Sequence, residues 1–126
     1  LNLPLDEMML HIQKAIENGH PVCWEGDISE EGFIHAKDNY VDISKNERPV
    51  TPTSRQEEFE QLRTTDDHVM EIIGTFLKDE QRYYVCRNSA GKKWGNQGLI
   101  YLSEDYLRLK TIAVFMSEEA FLFDRK

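Results

Sequence analysis

Two residues in this sequence have the types and the spacing for paired acid–base chemistry. His68 stands at a loop-to-strand junction, straight after Asp66 and Asp67, and loop edges on a rigid sheet are where reactive side chains tend to sit. A strand from His68, a turn over Lys78 to Gln81 and a returning strand bring Asn88 to the same end of the hairpin. A carboxamide beside an imidazole accepts a hydrogen bond from one ring nitrogen, which fixes the tautomer and aims the other nitrogen outward. It does so without adding a charge, which suits an imidazole that must pair with a thiolate. The plainer reading of Asn88 is a residue that starts a turn, and spacing alone favours that reading.

The remaining candidates are weaker. His11 lies within the first predicted helix, His20 in the turn after it, and His35 at the end of a short strand, all places for structural or surface histidines. Cys23 and Cys86 each sit in an apolar, strand-like run, and no Cys/His spacing suggests a zinc site. Two packed thiols are favoured over a disulfide. Cys23 follows a helix instead of opening one and is trailed by Glu25, Gly26 and Asp27, a poor setting for a nucleophile. Cys86 precedes Asn88 by two positions, on the same face of the strand but deeper.

The elements that must position these groups can be read from periodicity. Leu5, Met9, Ile12 and Ile16 form one apolar stripe and predict a helix from Leu5 to Asn18, entered at Pro4 and stopped by Gly19. "PVCWEG" reads as a buried strand and "GFIHA" as a short second one. Asp38 to Thr53 reads as a surface excursion without a regular element. Ser54 to Glu57 fits a capping box, with a short helix to about Arg63 that buries Phe59 and Leu62. "HVMEIIGTFL", "RYYVCR", "GLIYL" and "TIAVFM" are strands, and Ser103 caps a short helix "EDYLRL". The order predicts one α+β domain over residues 1–126, with an N-terminal helix and short helices beside an antiparallel, partly barrel-like sheet.

Between the second and third of those later strands lies "RNSAGKKWGNQG", a loop richer in glycine and asparagine than a plain hairpin needs. Together with "DDHVMEIIG", the stretch "NSAGKKWGNQGLIYL" resembles two segments of the papain superfamily of cysteine peptidases. Asn88, Ser89, Gly91, Trp94, Gly95 and Gly98 fall in register with the first, and the Asp-His pair that opens a strand matches the second. "NLPLDEM", "GHPVCWEGDISEEGF", "TTDDH" and "LSEDYLRLKT" further resemble the C-terminal half of the bleomycin hydrolase and aminopeptidase C branch. The likeness runs from about Leu3 to Val114.

The resemblance implies a thiol peptidase in which a cysteine from the other half of the fold attacks a peptide carbonyl. It implies His68 as the acid/base, Asn88 as its orienter, and Trp94 as a cover for their hydrogen bond, with Asp67 and Ser89 in support. Ala90 stands where the family has a tryptophan, a departure that points to lowered activity or to a binding module with a degenerate site. The family's nucleophile segment reads Cys-Gly-Ser/Ala-Cys-Trp/Tyr about 130–150 residues before the histidine. "GHPV" precedes Cys23 and too few residues precede His68 to hold a helical half. The nucleophile, its helix and an oxyanion-stabilising glutamine are therefore expected in an N-terminal half outside this chain, and the chain by itself is expected to be inactive. The absence of an initiator Met fits a truncated start, which would hide any signal peptide, so the compartment stays open. A partly apolar face turned toward the other half is a candidate for self-association.

Composition narrows the partners. The 126 residues hold 15 basic and 23 acidic side chains, a net charge of −8. That balance argues against nucleic acid and against anionic membrane surfaces. The resemblance implies a peptide substrate and neither a metal nor an organic cofactor.

Overall fold

The computed structural model describes residues 1–29, 33, 36–65, 68–88 and 95–122. Helix α1 spans Leu5–Glu17 and buries Leu5, Met9, Ile12, Ala15 and Ile16. It ends in a Schellman motif: Gly19 at φ 83° lets its own N–H reach the Ile16 carbonyl and that of His20 reach Ala15. The chain then enters β1 (Val22–Gly26), β2 (Tyr40–Val41), a 3₁₀ turn (Lys45–Glu47) and α2 (Pro52–Glu60). There follow β3 (His68–Lys78), β4 (Gln81–Arg87), β5 (Leu99–Ser103), α3 (Glu104–Lys110), β6 (Thr111–Phe115) and α4 (Glu118–Leu122).

The six strands form one sheet in the order β2-β5-β4-β3-β1-β6. The α+β class is as expected, but the sheet is mixed and open, since β2 pairs parallel with β5 and no pairing joins β2 to β6 among the described residues. Alternation along the strands sends Val22, Trp24, Met70, Ile72, Tyr84, Cys86, Ile100 and Leu102 to one face, where α1 and the α3 residues Tyr106, Leu107 and Leu109 complete the core. Asp79 and Glu80, both at positive φ, make the two-residue β3–β4 turn, whose left-handed geometry suits the twist of the strands. One register shift, between Ile72 and Gly74, bends β3.

Four expectations need correction. The segment 38–53 is not free of regular structure: it carries β2 and the 3₁₀ turn and buries Val41, Ile43 and Val50. The Tyr40 ring packs 5.0 Å from both Tyr83 and Tyr101, which fixes a strand too short to show alternation. Helix α2 starts before Ser54. Thr51 is its cap, accepting from the Ser54 N–H at 3.1 Å while the Ser54 hydroxyl accepts from the Thr51 N–H at 2.9 Å. Phe59 and Leu62 are 53% and 78% exposed, because α2 docks through polar contacts instead: Arg55 donates to the Arg108 carbonyl, and Glu58 pairs with the fully buried Lys110. Within "GFIHA" only Phe33 and Ala36 are described, and Phe33 is helical, not extended. Helix α4, started by the Ser117 hydroxyl accepting from the Ala120 N–H, was not anticipated.

Asp42 ties the far end of the sheet together. Its carboxylate accepts from the Ile43 N–H, the Ser103 hydroxyl at 2.7 Å, the Gln81 amide at 3.0 Å and the Arg48 guanidinium. Burial pushes this carboxyl up, but the bonds from Arg48, Gln81, Ser103 and the Ile43 N–H outweigh it and hold it below the usual range. A depressed folded-state value means the stabilisation is complete above the ordinary carboxylate range and is lost as pH falls through the folded-state value. Asp42→Asn is therefore expected to lower stability by about 1–2 kcal/mol at neutral pH. Thermal melts should show the gap from the unaltered protein narrowing below about pH 4.

Candidate active site

His68 opens β3 and lies opposite Gly26 of β1 in the antiparallel ladder. On its other side β3 pairs with β4 through Ile72↔Cys86 and Glu71↔Arg87. Continuing that register sets Asn88 opposite Met70, diagonal to His68 on the same face, a separation that long polar side chains bridge. They do so: His68 Nε2 and Asn88 Oδ1 are 2.8 Å apart. A carboxamide oxygen can only accept, so Nε2 carries the hydrogen and donates, which leaves Nδ1 as the basic nitrogen. Among the described residues Nδ1 makes no hydrogen bond. Asn88 is 9% exposed and His68 is half-buried, so the bond is shielded while the ring keeps an accessible edge.

The described end of the glycine-rich loop, residues 95–98, meets the backbone of Asn88. The Asn88 N–H donates to the Gly98 carbonyl at 3.2 Å. Gly98 is placed by a tight turn in which Gln97 and Gly98 both have positive φ and Asn96 and Leu99 exchange backbone bonds of 2.8 and 3.0 Å. Gly95, at φ 60°, has no room for a side chain, because a Cβ there would stand 2.4 Å from the Leu99 carbonyl oxygen. Asp67, Ser89, Ala90, Trp94 and His35 lie outside the described residues.

Neither cysteine meets the imidazole. Cys23 pairs with Glu71 and Phe115, in the row opposite to the Met70 and Ile72 face that His68 continues. It borders a cavity of about 710 Å³ also lined by Val69, Glu71, Arg87, Asn88 and Phe115, and makes no hydrogen bond to His68. Cys86 is fully buried opposite Ile72, where burial pushes its thiol up, far from a reactive state. Both thiols are free. Among the described residues no group of three or more His, Cys, Asp or Glu is placed to hold a metal, and no helix is long and apolar enough to cross a membrane. His11 stacks on Phe121 with ring centroids 4.5 Å apart, in a structural role.

Sequence reasoning passed over two buried charges near the site. Asp27, 1% exposed, follows β1 directly, and Lys110, 0% exposed, ends α3. Nothing in the sequence pattern marks either one as buried.

A family model described as papain family cysteine protease matches residues 11–117. Among solved structures, PepW from Lactobacillus rhamnosis HN001 superposes with a TM-score of 0.75 at 21% identity, covering 95% of this chain and 28% of that one. A chain from a study of the mite allergens Blo t 1 and Der p 1 superposes with a TM-score of 0.53 at 19% identity, covering 89% of this chain and 31% of that one. At these identities the two likenesses show the fold. The chain spans less than a third of either solved protein. No curated protein sequence matches it significantly.

Proposed function

The chain belongs to the papain family of cysteine proteases, and on that premise we propose that it supplies the His/Asn pair of a thiol peptidase whose nucleophile comes from a part of the protein outside this chain. The observation that carries the reading is the 2.8 Å contact between His68 Nε2 and Asn88 Oδ1, with Nδ1 left as the basic nitrogen. In the reaction, His68 Nδ1 takes the proton of the cysteine thiol, and the thiolate attacks the peptide carbonyl. The imidazolium returns that proton to the leaving amine as the C–N bond breaks, giving an acyl-enzyme. His68 then takes a proton from water as the water oxygen attacks the thioester, and as the C–S bond breaks the acid leaves and the imidazolium returns the proton to the thiolate. Asn88 accepts from Nε2–H throughout and stabilises the charged ring without competing for its proton.

The narrower reading is an aminopeptidase of the bleomycin hydrolase branch, supported by the segments "GHPVCWEGDISEEGF" and "LSEDYLRLKT". Ala90, in place of the family's tryptophan, favours a second reading, a non-catalytic module that keeps the fold. A fluorogenic aminoacyl substrate decides between them in the full-length gene product. The enzyme reading expects turnover that iodoacetamide abolishes, and the module reading expects none. Cys23→Ser is expected to leave turnover unchanged, and the 126-residue chain alone to show none. Loss of turnover in Cys23→Ser would make that thiol the nucleophile and overturn the assignment.

A further inference from the structure

Gly26, the last residue of β1, and Asp27, just after it, contact His68 and Thr65 respectively. Gly26 pairs with His68 itself. Asp27, the next residue, reaches Thr65, three positions ahead of His68: its Oδ2 accepts from the Thr65 N–H at 2.8 Å and the Thr65 hydroxyl at 3.3 Å. The other carboxylate oxygen, Oδ1, accepts from the Ser29 N–H at 2.7 Å and the Ser29 hydroxyl at 2.5 Å. The backbone of Asp27 is fixed as well, its N–H donating to the Lys110 carbonyl and its carbonyl accepting from the Tyr106 hydroxyl at 2.5 Å. A carboxylate that is 1% exposed carries a large desolvation penalty unless it is bonded on every side. Through its two oxygens the charge ties Ser29 to Thr65, three positions ahead of His68.

We infer that Asp27 is a positioning residue for His68, fixing the chain ahead of the imidazole so that Nε2 meets Asn88 and Nδ1 is aimed at its partner. An asparagine cannot substitute. Its carboxamide has one acceptor oxygen, and its NH₂ would oppose the N–H of either Ser29 or Thr65. The value of this positioning to turnover rests on the peptidase reading above, whereas its effect on the His68–Asn88 bond does not.

The test uses the full-length gene product labelled with ¹⁵N-histidine. Asp27→Asn is measured for thermal melting, for hydrogen exchange of the His68 Nε2–H, and for kcat and KM on a fluorogenic aminoacyl substrate. Well below the melt, the expected result is faster Nε2–H exchange and a kcat lowered between about 10- and 100-fold with KM little changed, the signature of a displaced acid/base. A lowered melt with exchange and kcat as in the unaltered protein would reduce Asp27 to a structural residue and overturn the inference. Should Asp27→Asn fail to fold, the double variant Ser29→Ala, Thr65→Val removes the two hydroxyl bonds and keeps the charge. Faster exchange in it supports the inference, and unchanged exchange overturns it. If the unaltered protein shows no turnover, the peptidase reading fails, and the exchange measurement still decides the role of Asp27.

Discussion

Replacing His68 by alanine in the full-length gene product is expected to lower kcat/KM for a peptide substrate by about 10²–10⁴-fold, the range that a positioned acid/base contributes. The loss should fall mainly on kcat, because the imidazole acts on protons that move in the transition state, not on substrate affinity. The fold should survive. His68 is the first residue of β3, half-buried, and its side chain bonds only Asn88 among the described residues. Loss of that one bond costs on the order of 1 kcal/mol, and the Asn88 backbone keeps its bond to the Gly98 carbonyl. Steady-state kinetics, normalised to protein that melts at the native temperature, checks this. Wild-type turnover in His68→Ala would remove the residue from the chemistry.

Trp24→Ala is expected to have the largest effect on stability, a loss of about 3–5 kcal/mol. The indole is fully buried in the middle of β1, flanked by β3 and β6. Its Nε1–H donates to the Thr111 hydroxyl at 2.7 Å, and Thr111 is itself fully buried, so truncation leaves both a cavity and an unpaired hydroxyl. The ring also covers Gly26, where a Cβ would stand 2.3 Å from Trp24 Cζ2 and 2.5 Å from the Lys110 carbonyl oxygen. Gly26 is the residue that pairs with His68, so the packing of Trp24 supports the site as well as the core. Chemical denaturation followed by far-UV circular dichroism measures the loss. A change under about 1 kcal/mol would mean that the site relaxes around the gap, against the close packing that the structure shows.

That one hairpin brings His68 and Asn88 to the same end of the sheet was legible from the short β3–β4 turn, but their sharing a face was not. A two-residue turn and a period of two would set Asn88 opposite Glu71, and only the register shift between Ile72 and Gly74 moves it opposite Met70. The end of the glycine-rich loop was legible for a related reason, since positive φ at Gly95 and Gly98 restricts which residues can stand there. Other features were hidden by their shortness or by their chemistry. Strand β2 has two residues, too few to show a period, and is held by the Tyr40 ring. Thr51 and Ser54 are both good caps, and only the backbone geometry chooses Thr51. Phe59 was expected inside because it is apolar, yet Arg55, Glu58 and Lys110 make the contacts that seat α2. Asp27 and Lys110 show the converse limit. A buried charge depends on partners distant in the chain, here Thr65 for Asp27 and Arg63 and Glu58 for Lys110.

In a structure of the full-length gene product, the group that stands against His68 Nδ1 is decisive. A cysteine Sγ, contributed by residues outside this chain, is expected within hydrogen-bond reach of that nitrogen while Nε2 keeps its bond to Asn88. An Nδ1 that faces a non-thiol side chain or open solvent in the folded protein would contradict the peptidase reading.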